Sequence, residues 1–272
     1  YTYLTIPSVL ILGLNEFAIR LPNALFGAIS VLGLYFLVIE LCKSFKFDGI
    51  HDKKLALLSS FILAVSPWHI MLSRGAFESN LTVFFMTFGL LFFFKALTNS
   101  KFQVLSALFF GLNLFTYHSA RLLTLPVVFY LIFLFRRQIL KSKHFLISGS
   151  VLLAFLAVAV ITLFQGAGVR ASTSTIFNPT DGWGGVSDSR YKEFLSGTPD
   201  IIARVFNNKF IYPSTLFVDN YLSYFSKQFF FTQGPAEYTY GMVPGMGLLY
   251  LFEIFFLAAF VWRYCRKGYK DS

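Results

Sequence analysis

Three short polar turns in an otherwise apolar sequence carry most of the groups able to do chemistry. They are Asn15-Glu16-Phe-Ala-Ile-Arg20, Ser73-Arg74-Gly-Ala-Phe-Glu78 and Tyr117-His118-Ser119-Ala-Arg121. Each holds one arginine, and the first two also hold a carboxylate. Ionisable groups at the end of a membrane span are costly to desolvate unless they are paired or used. Arginines that converge on one side of a helical bundle suit an anionic group, because the guanidinium fork matches phosphate geometry. The competing reading is structural: the arginines snorkel to lipid headgroups, or pair with Glu16 and Glu78.

Other polar groups have weaker signals. His69 and His118 lie at the same boundary, with no second histidine at helical spacing to suggest a metal pair. Glu253 falls within the last apolar stretch, where a buried hydrogen-bonded acid is the simpler reading than a proton relay. Asn80-Leu-Thr82 matches a glycosylation sequon, but its place at a span edge argues against use. Cys42 and Cys265 form neither a disulfide framework nor a metal spacing.

The elements that position these turns are transmembrane helices. The 272 residues are 56% hydrophobic and 19% aromatic, with 36 phenylalanines and only 13% charged residues, and the mean hydropathy is +0.64. A soluble domain of this size carries about a quarter charged residues. Apolar runs long enough to cross a ~30 Å hydrocarbon core recur between short turns and lack the alternation of barrel strands. The expected fold is an all-α, polytopic bundle of about seven spans, at 21–42, 55–73, 79–97, 102–118, 122–137, 145–164 and 243–264. Residues 1–14 are too short to span and read as an interfacial or re-entrant helix.

The organisation is therefore 1–164, an interfacial helix with six spans; 165–242, a polar loop; and 243–272, a further span with a tail. Alternate turns are strongly basic: Lys43, Lys46, Lys53 and Lys54; Lys95 and Lys101; Arg136, Arg137, Lys141 and Lys143; Arg263, Arg266, Lys267 and Lys270. The positive-inside rule puts these turns in the cytoplasm, and the arginine turns and the long loop outside. The net charge of +10 is thus a topological signal. No basic stripe with interleaved aromatics supports a nucleic-acid partner.

The long loop mixes Arg170, Arg190, Lys192, Arg204 and Lys209 with Asp181, Asp188, Glu193, Asp200 and Asp219. Its segment Asp219-Asn-Tyr-Leu-Ser-Tyr-Phe-Ser226 suits either a carbohydrate surface or an interfacial helix. No Gly-rich loop points to a soluble nucleotide.

Several segments resemble a known family. Asn15-Glu-Phe-Ala-Ile-Arg-Leu-Pro-Asn-Ala-Leu-Phe-Gly27 is similar to a segment of membrane glycosyltransferases. Ser66-Pro-Trp-His-Ile-Met-Leu-Ser-Arg-Gly-Ala-Phe-Glu-Ser-Asn80 and Thr116-Tyr-His-Ser-Ala-Arg-Leu122 resemble its next two outer turns. Arg204-Val-Phe-Asn-Asn-Lys209, Asn220-Tyr-Leu-Ser-Tyr-Phe-Ser226 and Val243-Pro-Gly-Met-Gly-Leu-Leu-Tyr250 resemble its large-loop and following-span motifs. The family is the GT-C superfamily, in its dolichyl-phosphate-mannose–protein mannosyltransferase-like and aminoarabinose-transferase-like group.

The resemblance implies an inverting transferase in the bacterial plasma membrane. It would move a sugar from a polyprenyl-phosphate donor to a protein, lipid or glycan hydroxyl on the outer face. Family members carry an acidic base, usually Asp, in the first outer loop. That loop would precede Tyr1, so this chain is expected to be an inactive fragment whose catalytic residue is unknown. Donor-phosphate contacts are expected from Arg74 and Arg121 first, then Lys209 and Arg204. Glu78, His118, Glu16 and Arg20 would orient substrate. Some relatives bind a divalent metal near the phosphate, but no ligand set can be named here. A transporter or flippase, and an oligosaccharide polymerase or ligase, are the alternative readings.

Overall fold

The computed structural model describes residues 1–45, 52–162, 179–234, 245–256, 258–259 and 262, with the side chains of 118 and 179–183 outside the description. Among these residues there is no strand. The chain divides into two compact units. The first contains Tyr1–Ala159 and the described residues from Leu248 onward, and the second runs from Val160 through residue 234 and includes 245–247.

In the first unit, α1 (Thr2–Leu12) is followed by α2 (Glu16–Ser44), α3 (Asp52–Val65), α4 (Pro67–Arg74), α5 (Glu78–Ala96), α6 (Phe102–Asn113), α7 (His118–Leu134), α8 (Arg136–Ile139) and α9 (Phe145–Thr162). Three of these, α2, α5 and α9, are individually long and apolar enough to cross a membrane, and α3 with α4 forms a fourth candidate bent by 58°. The protein is thus an all-α membrane bundle. Each of the first six predicted spans coincides with helix, although α6 stops earlier than the sequence pattern suggested and α7 begins earlier, at His118.

Two departures have local causes. The predicted span 55–73 is two helices because Pro67 lacks an N–H and occupies the first helical turn of α4, a position proline favours. Within the predicted span 243–264, residues 245–252 are not helical and a short helical turn covers 253–256. Gly245 takes φ 82°, which a residue with a side chain rarely adopts. At Gly247 an added Cβ would collide with the backbone carbonyl of Phe230. Most of the rest of that stretch, with Cys265 and the basic tail, lies outside the described residues, as does the loop segment 163–178 that contains Arg170.

Asn15 caps α2, its Oδ1 accepting from the Ala18 N–H at 2.8 Å. Pro22 then interrupts the hydrogen-bond ladder, leaving the Ala18 carbonyl without its usual i+4 donor. Ser8 of α1 fills the gap, donating from Oγ to that carbonyl at 2.6 Å. Tyr1 donates its hydroxyl to the neighbouring Ile19 carbonyl at 2.5 Å. These two bonds dock a helix that buries no residue of its own.

Helix α5 packs against α2 and α6 through glycines that receive phenylalanines. A Cβ on Gly33 would sit 2.7 Å from Phe88, and one on Gly89 2.8 Å from Phe110. Small residues of this kind let membrane helices approach closely. Phe84, Phe85, Phe88, Phe92 and Phe109 then form a run of ring contacts with centroids 4.7–6.1 Å apart. Leu146 and Phe129, at 80% and 73% exposure, belong to outward faces suited to lipid.

Two fully buried amides join α2 to the α4–α5 turn. Asn23 donates from Nδ2 to the carbonyls of Leu72 and Gly75, both at 2.6 Å. Asn80 donates from its own Nδ2 to the Asn23 carbonyl at 3.1 Å and to Asn23 Oδ1 at 3.0 Å. Asn80 is therefore unavailable as a glycan acceptor. Asn80→Leu should destabilise the protein by about 1–3 kcal/mol by stripping Asn23 Oδ1 of its donor. Denaturant unfolding of the purified variant measures this, and an unchanged midpoint would refute the linchpin role.

The second unit contains α10 (Pro179–Leu195), α11 (Asp200–Phe206) and α12 (Ile211–Ser223), then a π-helical turn at Gln228–Thr232. Arg190 ties α10 to the end of α11, its Nε donating to the Asn207 carbonyl at 2.7 Å. Asn208 Oδ1 accepts from the N–H groups of Phe210 and Ile211 and so starts α12.

Candidate functional site

The bend at Pro67 sends α4 across α2 and opens a broad groove between them. Ala24, Ala28, Val31 and Ile70 give it apolar walls, and His69, Ser73 and Arg74 line its polar part. The close approach at its base depends on Gly27, where a Cβ would collide with the Ser73 hydroxyl and lie 2.7 Å from Ser73 Cβ. Arg74 ends α4, where a cation complements the negative end of the helix dipole. It is exposed and makes no ion pair or hydrogen bond among the described residues.

His69 is held from below. It is only 3% exposed, and its Nε2 lies 3.2 Å from the Gly27 carbonyl. A carbonyl can only accept, so Nε2 carries the proton and Nδ1 is an acceptor. Nδ1 is buried without a partner among the described residues, as is the hydroxyl of Ser66 at the start of the same helix. Ser73 Oγ stands 3.5 Å from Asn80 Oδ1. The same amide pair that closes the α4–α5 turn thus also carries the residue beside Arg74.

The structure distributes the other expected site residues differently. Arg121 does not line this groove. Its Nε donates to the Leu114 carbonyl at 2.9 Å, and its Nη1 is buried without a partner among the described residues. That bond ties the α6–α7 turn to α7, beside a buried chain in which Asn113 donates to Thr124 and Thr116 meets Thr82. Arg20 pairs with Glu16 at 3.1 Å, one helical turn apart and largely exposed. Exposed pairs of this type contribute only about 0.3–0.5 kcal/mol, so the expected structural role as partners is realised here. Glu78 is exposed in the first turn of α5 and forms no salt bridge with Arg74. The backbone of His118 opens α7, while its side chain lies outside the description.

Arg204 and Lys209 belong to the second unit. Arg204 pairs with Asp200 at 2.8 Å within α11, again at high exposure, and Lys209 is exposed in the turn before α12. No group of three or more His, Cys, Asp or Glu residues clusters as a metal site among the described residues. Glu253 is buried at 9% exposure, at the start of the 253–256 turn.

Sequence reasoning did not single out Asn23, Ser73 or Gly27. One signal was available: Asn23 follows a proline within an apolar run, where an unpaired amide would be expensive.

A membrane bundle with an arginine-headed groove at a helix break is the class of protein that emerges, and sequence comparison specifies the family. Residues 1–162 match the family model described as dolichyl-phosphate-mannose-protein mannosyltransferase, and the chain belongs to this family of membrane glycosyltransferases. A Bacillus subtilis (strain 168) protein named "Putative mannosyltransferase YkcB" is 31% identical over 129 residues, covering 46% of this chain and 17% of that protein. The chain therefore spans well under two thirds of this relative. No solved structure matches.

The groove geometry has a direct consequence. Gly27→Val should cost about 1–3 kcal/mol by overpacking the α2–α4 contact. Gly149→Ala, whose Cβ meets nothing within 4 Å, should be neutral or stabilising. Parallel thermal unfolding of the two variants checks this, and equal effects would refute the close approach.

Proposed function

We propose that the protein transfers a sugar, with mannose as the first candidate, from a polyprenyl-phosphate donor to an acceptor hydroxyl on the outer face of the membrane. The single supporting observation is the α2–α4 groove, which combines an unpaired arginine with an apolar wall. That combination fits a ligand with a phosphate head and a hydrocarbon tail. Family membership and the relative's name support the sugar-transfer chemistry.

In this reading the donor phosphate lies against Arg74 and the Ser73 hydroxyl. The isoprenoid chain runs along Ala28 and Val31. The acceptor oxygen attacks the anomeric carbon, the bond from that carbon to the phosphate oxygen breaks, and the configuration inverts. An acidic base takes the hydroxyl proton. Negative charge grows on the departing phosphate, so a fixed guanidinium stabilises the transition state more than the ground state. Asn23 and Asn80 hold Arg74 in place through the turn, and His69, anchored on Gly27, braces the face of α4 behind it. Arg121, Arg204, Lys209 and Glu78 are secondary candidates for phosphate and sugar contacts.

Arg74→Ala in the full-length protein should lower transfer by about 100-fold or more, with membrane insertion and unfolding temperature unchanged. Arg74→Lys should restore part of the rate. The assay is release of polyprenyl phosphate from a synthetic polyprenyl-phosphate-mannose, and wild-type turnover in Arg74→Ala would overturn the assignment. The outer placement of residues 165–242 is tested separately. Tyr191→Cys, in a background lacking Cys42 and Cys265, should react with an impermeant maleimide on intact cells. Labelling only after lysis would reverse the orientation.

A further inference from the structure

We infer that the end of the bundle opposite the arginine turns contains a binding site for an anionic phospholipid. It is distinct from the α2–α4 groove and does not depend on the proposed transfer reaction. Its apolar part is a narrow cleft between α5, α6, α7, α8 and α9. Phe93, Phe110, Val128, Ile132 and Leu152 provide most of its lining.

One residue does not suit an empty apolar cleft. Gln103 lines it, is only 7% exposed, and its side-chain amide makes no hydrogen bond among the described residues. Its backbone N–H alone is engaged, with the Ser100 carbonyl. Its polar atoms are not fully enclosed, so the amide can be reached from the cleft, where a leucine would have extended the apolar lining. Neighbouring polar groups do not help: Ser106 is committed to the Gly89 carbonyl and Ser148 to the Phe145 carbonyl. The amide offers both a donor and an acceptor to whatever enters. A lipid's glycerol-ester or phosphate oxygens use the donor, and a headgroup hydroxyl uses the acceptor.

The charge around the cleft selects the headgroup. Ile139 of α8 faces the cleft, while Arg136, Arg137 and Gln138, immediately before it, line an adjoining open groove. Ser100 Oγ and His144 Nδ1 meet at 2.9 Å, which brings the α5–α6 turn beside the α8–α9 turn. Lys95, Lys101, Arg136, Arg137, Lys141 and Lys143 therefore gather at one end. None of them forms a salt bridge among the described residues, and the sequence contains no Asp or Glu from residue 79 to residue 180. Topology alone calls for basic residues in these turns. It does not call for an amide with no hydrogen bond among the described residues in an apolar cleft beside them. A phosphate at Arg136 and Arg137 with its acyl chain in the cleft satisfies both, in the manner of basic pockets between membrane helices.

The test uses delipidated protein in a maltoside detergent and follows thermal unfolding. Added phosphatidylglycerol should raise Tm by about 5 °C or more at saturation, and phosphatidylcholine and inorganic phosphate should each give less than half that shift. Gln103→Leu should keep its fold and weaken the apparent lipid affinity at least ~10-fold, about one hydrogen bond to a charged group. The exposed double variant Arg136→Gln/Arg137→Gln should do the same, and it reports on the site even if Gln103→Leu fails to fold. An equal shift with phosphatidylcholine would overturn the headgroup assignment. An equal shift with inorganic phosphate would overturn the lipid assignment. Unaltered phosphatidylglycerol response in the double variant would overturn the site.

Discussion

The buried amide pair Asn23–Asn80 is the interaction on which the first unit depends. Hydrocarbon offers no partners for backbone groups, so any helix that ends or breaks within the bundle must have its freed carbonyls satisfied by protein. Helix α4 ends after two turns and releases the carbonyls of Leu72 and Gly75. Asn23 takes both with one Nδ2 group, and Asn80 occupies the acceptors that Asn23 has left. Two amides thereby replace what would otherwise be several unpaired polar atoms. In doing so they fix the positions of α2, the end of α4 and the start of α5 relative to each other.

Helix-breaking residues recur in this design, each with a compensating donor. Pro22 frees the Ala18 carbonyl, and Ser8 of the preceding helix uses it. Pro67 bends the α3–α4 pair by 58° and so creates the groove whose polar end carries Arg74. An unbroken helix from 52 to 74 would run straight past α2 and leave no such opening. The proline costs hydrogen bonds and provides a concave surface, while His69 on the Gly27 carbonyl keeps the bent segment seated. Phenylalanines set into Gly33 and Gly89 bring α2, α5 and α6 close enough to make this end rigid.

Much of the architecture was legible in the sequence. Apolar runs and polar turns located α2, α5 and α9, and the charge asymmetry between alternate turns separated the ends of the helices. The pairing of Arg20 with Glu16 follows from their i,i+4 spacing alone, as does that of Arg204 with Asp200. The non-helical path at 245–252 was harder to see, because Gly245 and Gly247 act through backbone conformation and close approach rather than through hydropathy. Arg121 shows the limit most clearly. Its residue type and turn resemble those of Arg74, but its surroundings differ: its Nε is bound to the Leu114 carbonyl seven residues back, and it does not line the groove. A hydrogen bond to a carbonyl depends on how the turn closes, which residue identity does not encode.

By itself the sequence determined the solvent for which this chain is built, the helical form that solvent imposes, and the family to which it belongs. Hydropathy sums over many residues and tolerates local exceptions, so those conclusions are robust to any single contact. Only the tertiary structure decided which of three similar arginines stays unpaired beside a groove, which of many asparagines is a structural clasp, and where a glutamine amide meets an apolar cleft. Each of these depends on a few ångströms between residues far apart in the chain. Asn23 and Asn80 are separated by 57 positions, and no local pattern records their meeting.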